Sequence, residues 1–125
     1  MTDTKVDFQT EANNYYLSRF ADIRELLDSD SDDATEQLQE MPLSVELIAV
    51  HPNYEACEWA ILIGIGGPAD RVLVQTDMGG EIDNATYQYQ DWFQPWTEAS
   101  NQDRELVERF ARVFYFGTVS VNIDS

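Results

Sequence analysis

The sequence contains little of what covalent cross-linking, metal clustering or membrane insertion requires. Its 125 residues include one cysteine, Cys57, and one histidine, His51. A single cysteine excludes an internal disulfide and a cysteine-based zinc cluster. The N-terminal residues MTDTKVDFQT carry no apolar signal segment, and no apolar run approaches the length that spans a bilayer. These absences predict a soluble protein that is located in the cytoplasm.

Basic residues are also scarce, since seven Lys and Arg stand against 24 Asp and Glu and give a formal net charge of −17. Phosphate recognition needs clustered Lys and Arg, so this composition argues against direct binding to nucleic acid. Binding to anionic membranes is disfavoured for the same reason. Like charges destabilise a compact state, which favours a function that uses the charge. Adaptation to high salt is an alternative that the sequence leaves open.

Catalytic patterns are missing as well. His51 is followed by a proline, which is typical of a turn, and Cys57 opens an apolar run, which is typical of a small buried side chain. No oxyanion-hole motif or nucleophile elbow accompanies them. The sequence therefore predicts a protein that is not an enzyme.

Apolar periodicity predicts helices near both ends of the chain. The first helix covers residues 10–27 with Thr10 as its N-cap, and a short second helix covers residues 32–41. A C-terminal helix is predicted for residues 100–117, with Ser100 as its cap. The residues that share the apolar face of the first helix are Ala12, Tyr16, Phe20, Ile23 and Leu27.

The middle of the chain predicts a sheet. Four strand-like runs at residues 43–50, 57–65, 71–77 and 85–92 are separated by short turn segments, which favours a meander over residues 43–92. The expected fold is a single α+β domain over residues 1–125, with an acidic helical segment at 10–41. Its sheet is four-stranded and mainly antiparallel, with the N-terminal and C-terminal helices packed on one face.

The acidic stretch DSDSDDATEQLQE begins like a calcium-binding loop. Asp28, Asp30 and Asp32 occupy its first, third and fifth positions. Position six, which should be glycine, is Asp33, and position twelve, which should be glutamate, is Gln39. The leading prediction is therefore no bound metal and no cofactor, and a weak calcium site remains an alternative.

An electrostatic role explains the same stretch better. From Glu25 to Asp70 the chain has eleven acids and no Lys or Arg, whereas ordinary surfaces mix charges of both signs. Acids four residues apart on a helix are separated by about 6 Å along its axis, which approximates a row of phosphates. The residues predicted to bind a partner are Asp22, Glu25, Asp28, Asp30, Asp32, Asp33, Glu36 and Glu40.

Aromatic residues near the fourth predicted strand form a second candidate. Core packing is the favoured interpretation of this group, because no cations accompany it to support base stacking. Some of its members are secondary candidates for a protein interface, where Trp and Tyr often dominate the binding energy. These secondary candidates are Tyr87, Tyr89, Asp91, Trp92 and Trp96.

Three segments carry a resemblance to known proteins: GGPADRV at 66–72, YQDWFQPW at 89–96 and FARVFYFG at 110–117. Together with PLSVE at 42–46, they resemble a pattern in small acidic proteins encoded by phages and plasmids, most of them uncharacterised. The resemblance covers residues 35–117 and implies an origin in a mobile element. The chain is also similar in size and charge to the DNA mimics among anti-restriction and anti-CRISPR inhibitors.

The resemblance and the charge together predict a non-enzymatic inhibitor that imitates nucleic acid in the basic groove of a host defence protein. Its partner would be a basic nucleic-acid-binding protein or complex in the host cytoplasm. An accessory or assembly protein that binds through the aromatic residues is the alternative from a different class. The sequence leaves open whether the chain forms a homodimer.

Overall fold

A computed structural model describes residues 7–29, 31–65, 68–91 and 94–119 of the chain. The helices are α1 (Phe8–Leu27), α2 (Asp32–Glu40) and α3 (Arg104–Ala111). The strands are β1 (Ser44–His51), β2 (Ala56–Gly64), β3 (Ala69–Asp77), β4 (Ile82–Gln90) and β5 (Thr97–Glu98), with a 3-10 turn at Pro52–Tyr54 between the first two. No helix in these ranges is long and apolar enough to cross a membrane.

The strands form one antiparallel sheet in the order β1-β2-β3-β4-β5. The predicted α+β class and antiparallel sheet are confirmed, but the predicted number of four strands is wrong. The fifth strand is the two-residue β5, whose Thr97 and Glu98 pair with Tyr89 and Gln88 of β4. So short a strand has no periodicity of its own, and it forms because the chain after β4 turns back beside it.

Helices α1 and α2 lie where the sequence places them, although α1 begins two residues earlier than expected. Asp7, and not Thr10, is the N-cap of α1, because its carboxylate accepts hydrogen bonds from the backbone N–H groups of Gln9 and Thr10. The Thr10 hydroxyl also donates to Asp7, at 2.7 Å, and this bond is the main cause that lowers the pKa of Asp7.

Helix α3 is shorter than the predicted span of 100–117. Its N-cap is Asp103, whose carboxylate accepts from the backbone N–H of Leu106, so the helix does not begin at Ser100. It ends at Ala111, well before Gly117, and the following residues bring Phe116 into the core. Burial of this phenylalanine against Trp59 favours a turn over another helical turn.

The core is one cluster to which all three helices and strands β2, β3 and β4 contribute. Register aligns Ile61, Val72 and Tyr87 across those three strands, and each of the three is fully buried. Tyr16, Phe20 and Phe110 pack against this row, with Phe20 edge-on to both Tyr87 and Phe110. The cluster fixes the positions of α1 and α3, and through them it sets where α2 can lie.

Gly80 in the turn between β3 and β4 is required by its backbone geometry. Its φ of +91° lies in the region that favours glycine, and an added Cβ would lie 1.9 Å from the carbonyl oxygen of Phe116. Glycine therefore allows the C-terminal residues to lie against the turn. The backbone N–H of Val119 holds them there by donating to the carbonyl oxygen of Met78.

Candidate functional site

Helix α2 is a short surface helix that a few contacts hold in place. Its buried residues are Ala34 and Leu38, which lie four apart and so face the same side. Ser31 caps its first turn by accepting from the backbone N–H of Ala34, and the Gln39 side chain donates to the carbonyl oxygen of Val113 beyond α3. These anchors fix the rotation of α2 about its axis, and that rotation decides which residues face solvent.

The acids of α2 share its solvent face. At about 100° per residue, the four acids fall in an arc of about 100° that lies opposite the buried Ala34 and Leu38. These acids are Asp32, Asp33, Glu36 and Glu40. All four are exposed. No base of the described residues forms an ion pair with any of them. We call these four residues the α2 acidic face.

The C-terminal half of α1 adds two more exposed acids beside α2. Asp22 and Glu25 line a shallow groove of about 350 Å³ together with Gln37 of α2. The bases of the same helix turn to its flanks, where Arg19 pairs with Asp70 and Arg24 lies 3.6 Å from Asp103. The structure therefore brings Asp22 and Glu25 next to α2, although Asp22 also shares a small pocket with Arg19.

Asp28 differs from the other predicted acids, because it is partly neutralised. Its carboxylate lies 3.1 Å from the guanidinium of Arg109 in α3, which also donates to the carbonyl oxygen of Leu27. Asp28 therefore contributes to the contact between α1 and α3, although its side chain remains 60% exposed. Asp30 lies outside the described residues.

The calcium alternative requires residues 28–39 to form a loop, and the structure contradicts it. Residues Asp32–Glu40 are helical, so most of the twelve positions cannot wrap around one ion. Asp28 is already bound to an arginine. Among the residues that the structure describes, no group of three or more His, Cys, Asp or Glu side chains is placed to hold a metal ion.

The aromatic candidates that the structure describes do not form an exposed face. Tyr87 and Tyr89 are 0% and 2% exposed and belong to the core, so they are unavailable to a partner and the interface prediction is wrong for both. Trp96 is half-buried and stacks on Arg71, whose guanidinium carbon lies 4.0 Å from the ring centroid. Asp91 is half-buried after β4. Trp92 lies outside the described residues.

A buried polar cluster around Asp70 was missed by the sequence prediction. Asp70 is 3% exposed, and its carboxylate accepts from the Arg19 guanidinium at 2.8 and 3.0 Å and from the Tyr87 hydroxyl at 2.9 Å. Burial raises the pKa of Tyr87, and the adjacent Asp70 adds to the effect. The hydrogen bond from Arg19 to Asp70 raises the pKa of Arg19.

This cluster is structural, because every polar group in it has a partner within the protein. It links α1 to β3 and β4, and its members lie 51 and 17 positions from Asp70 in the chain, so no local pattern in the sequence indicates it. Gly64 of β2 makes room for it, since a Cβ there would lie 2.6 Å from Oδ1 of Asp70.

The two residues weighed for catalysis also have structural partners. His51 Nε2 lies 2.7 Å from a carboxylate oxygen of Glu58 on the neighbouring strand. Cys57 is buried and its sulfur contacts that of Met78 at 3.5 Å. Burial also raises the pKa of Cys57, which disfavours the reactive thiolate.

Neither the protein-family models, nor the curated proteins, nor the solved structures contain a match to this chain. The described structure itself defines the class of the protein, which is an α+β domain with a five-stranded antiparallel sheet and an exposed acidic helix.

Proposed function

We propose that this chain is a non-enzymatic inhibitor that occupies the basic nucleic-acid groove of a host defence protein, of the anti-restriction or anti-CRISPR type. The single observation that carries the proposal is the α2 acidic face, with Asp22 and Glu25 beside it. All six of these carboxylates are exposed. Among the described residues, none of the six takes part in an ion pair.

The spacing of these charges supports mimicry of a nucleic-acid strand. Asp32 and Glu40 are eight residues apart, which is about 12 Å along a helix axis. Four carboxylates over that length give roughly one charge per 4 Å, compared with one per about 3.4 Å along each strand of duplex DNA. A groove lined with Lys and Arg would therefore meet a similar density of negative charge.

The location of the bases supports the same proposal. Arg109 is engaged by Asp28, Arg19 by Asp70, and Arg71 lies beneath Trp96 on the sheet. These three arginines are thus engaged by other groups of the protein, while the six acids of the proposed surface are in no ion pair with a described residue. This separation gives fast, electrostatically steered association with a cationic partner.

Two related expectations belong to the same proposal. We place α1 and α3 on one face of the sheet, because side chains from both helices join one cluster with alternate residues of β2, β3 and β4. In that arrangement α2 packs mainly against α1, and its exposed acids are available to enter a groove. The proposed location is the cytoplasm of the host cell, where the target would act on nucleic acid.

The proposal is tested by DNA cleavage assays with purified restriction and CRISPR effector complexes. We expect the protein to inhibit at least one of them in competition with DNA. The affinity should fall steeply as salt rises from about 50 to 200 mM, because the contacts are between opposite charges at the surface. An affinity that is independent of salt contradicts the mimicry mechanism.

Two matched variants separate the α2 acidic face from total charge. The test variant is Asp32→Asn, Asp33→Asn, Glu36→Gln and Glu40→Gln. The control neutralises four exposed acids elsewhere, and consists of Glu81→Gln, Asp83→Asn, Glu98→Gln and Glu105→Gln. We expect the test variant to bind at least about tenfold more weakly than the control. Equal loss in both variants would mean that net charge, and not the α2 acidic face, determines binding.

A further inference from the structure

Strand β1 forms one end of the sheet and has a neighbour on one side only. It pairs with β2 with a bulge between Leu47 and Ala49, and within the described parts of the chain no strand pairs with its other edge. An edge of this kind presents unpaired backbone N–H and C=O groups to which another strand can add. The opposite end of the sheet is the two-residue β5. The long free edge is therefore that of β1.

Large apolar side chains are exposed on and around this strand. Val45, Leu47 and Ile48 are 37%, 41% and 44% exposed. Leu43, Tyr54 and Ile65 on the same β1–β2 hairpin are exposed as well, so the hairpin carries six of the nine large exposed hydrophobic residues among those described. Leu43, Val45, Leu47 and Ile48 follow one another along the β1 edge, and such a contiguous apolar stretch marks an interaction surface, whereas singly scattered apolar residues such as Tyr54 are the ordinary case.

The two faces of the β1 edge differ in chemistry. Val45 and Leu47 lie opposite Ile61 and Trp59 of β2, on the face that continues into the core. Glu46 lies opposite Ala60, and so it shares the other face with Glu58 two residues along β2. A strand added beside β1 would therefore place one set of alternate side chains against Val45 and Leu47 and the other set beside Glu46.

The charges of the hairpin indicate what kind of strand fits. Residues 43–65 contain Glu46, Glu55 and Glu58 and no Lys or Arg. A second copy of the chain would bring these acids towards their own kind, with a net charge of −17 on each molecule. A basic segment meets complementary charge instead, so the charge balance favours a different, basic protein over a homodimer.

We infer that the edge of β1, from Ser44 to His51, binds an extended segment of a basic protein in which apolar residues alternate with Lys or Arg. The segment adds a sixth strand to the sheet. Its apolar residues cover Val45 and Leu47, and its bases meet Glu46. This inference extends the proposed function by giving the basic target a second contact, but it is tested separately from the α2 acidic face.

The experiment uses the full-length protein and two fluorescent peptides of about eight residues, a length typical of a strand. One peptide alternates Lys and Val, and the other has the same composition with all Lys residues before all Val residues. We expect the alternating peptide to bind at least about tenfold more tightly in a fluorescence anisotropy titration. Hydrogen exchange should show new protection at β1 amides when this peptide is bound.

A matched pair of variants locates the site. Leu47→Lys changes the β1 edge, whereas Leu17→Lys makes the same change at an exposed leucine of α1. We expect only the first to weaken the alternating peptide, by about tenfold or more. Circular dichroism and unfolding curves of both variants show whether each is folded.

Three outcomes overturn the inference. Equal binding of both peptides without protection of β1 would mean attraction to the general negative charge. Absence of binding up to millimolar peptide would mean that the edge accepts no such strand. A dimer in sedimentation that Leu47→Lys dissociates and Leu17→Lys preserves would make a second copy the occupant. None of these results bears on the α2 acidic face, which the cleavage assay tests independently.

Discussion

The carboxylate of Asp70 and those of the α2 acidic face belong to the same chemical class but have opposite roles. Asp70 is buried at 3% exposure and accepts three hydrogen bonds from Arg19 and Tyr87. The acids of α2 are exposed, and no base of the described residues pairs with them. A carboxylate with every bond satisfied internally stabilises the fold, while one that is left solvated is available to a partner.

This comparison shows why a high acid count by itself does not define a site. The sequence predicts that Asp28 binds a partner together with the α2 acids. Its contact with Arg109 makes it intermediate between the buried, paired Asp70 and the exposed, unpaired acids of α2. Exposure and pairing separate the acids that bind inside the molecule from those that face outwards. Substitutions in the two kinds of acid should therefore differ in their effect on stability.

Replacing Asp70 should be the most damaging single change among the acids. Asp70→Ala leaves the Arg19 guanidinium and the Tyr87 hydroxyl without their shared acceptor, so we expect the free energy of unfolding to fall by about 3 kcal/mol. Arg19 is one-third exposed, which holds the loss to the lower end of the range for a broken buried pair. Urea unfolding measures the change.

The control for this prediction is Asp32→Ala on the α2 acidic face, which should alter the free energy of unfolding by less than about 1 kcal/mol. Similar losses in the two variants would contradict the distinction between the acids. Without denaturant, and at a temperature at which the Asp70→Ala variant is still folded, it should bind the partner with the affinity of the wild type.

Much of the fold follows from local patterns, because the longer elements repeat their apolar residues with a clear period. The residues predicted for the inner face of α1 are buried at Ala12, Tyr16, Phe20 and Ile23. The end of α3 could not be predicted in the same way. It depends on Phe116, which packs against Trp59 from a distant strand and so gives no local signal.

The candidate site was predictable only in part, for a similar reason. Local spacing places Asp32, Glu36 and Glu40 on one side of a helix, and their exposure agrees with that spacing. The pairing of Asp28 with Arg109 joins residues 81 positions apart in the chain, and nothing near either residue indicates it. The burial of Tyr87 and Tyr89 likewise follows from how α1 and α3 cover β4.

The buried tyrosines predict a loss of stability at alkaline pH. Burial raises the pKa of Tyr89 to about 12, and it raises that of Tyr87 as well. Below about pH 10 both the folded and the unfolded chain keep the two phenol protons, so these tyrosines do not make the free energy of unfolding depend on pH. Above about pH 10 the unfolded chain loses these protons before the folded chain does. Stability then falls with rising pH, by at most about 1.4 kcal/mol per pH unit for each tyrosine.

Unfolding curves between pH 8 and about 11.5 measure this effect. Tyr89→Phe should flatten the alkaline decline, because a group that cannot ionise has no linkage to pH. Tyr115→Phe is the control, since Tyr115 is 88% exposed, and it should follow the wild type. An identical decline in all three proteins would show that other groups cause it.

The smallest expected effect concerns the α2 acidic face itself, whose neutralisation should hardly change stability. In the fourfold α2 variant, removal of like charges four residues apart gains about 0.2–0.5 kcal/mol per pair. Loss of Asp32 and Asp33 from the first turn removes a favourable interaction of about 0.3–1 kcal/mol each with the helix dipole. These terms oppose each other, so we expect a net change below about 1 kcal/mol in urea unfolding.

Added salt should stabilise the wild type more than the variant, because salt screens the repulsion that the variant lacks. A loss as large as that of Asp70→Ala would mean that the α2 acids are held by the fold, and that they are not free to bind a partner.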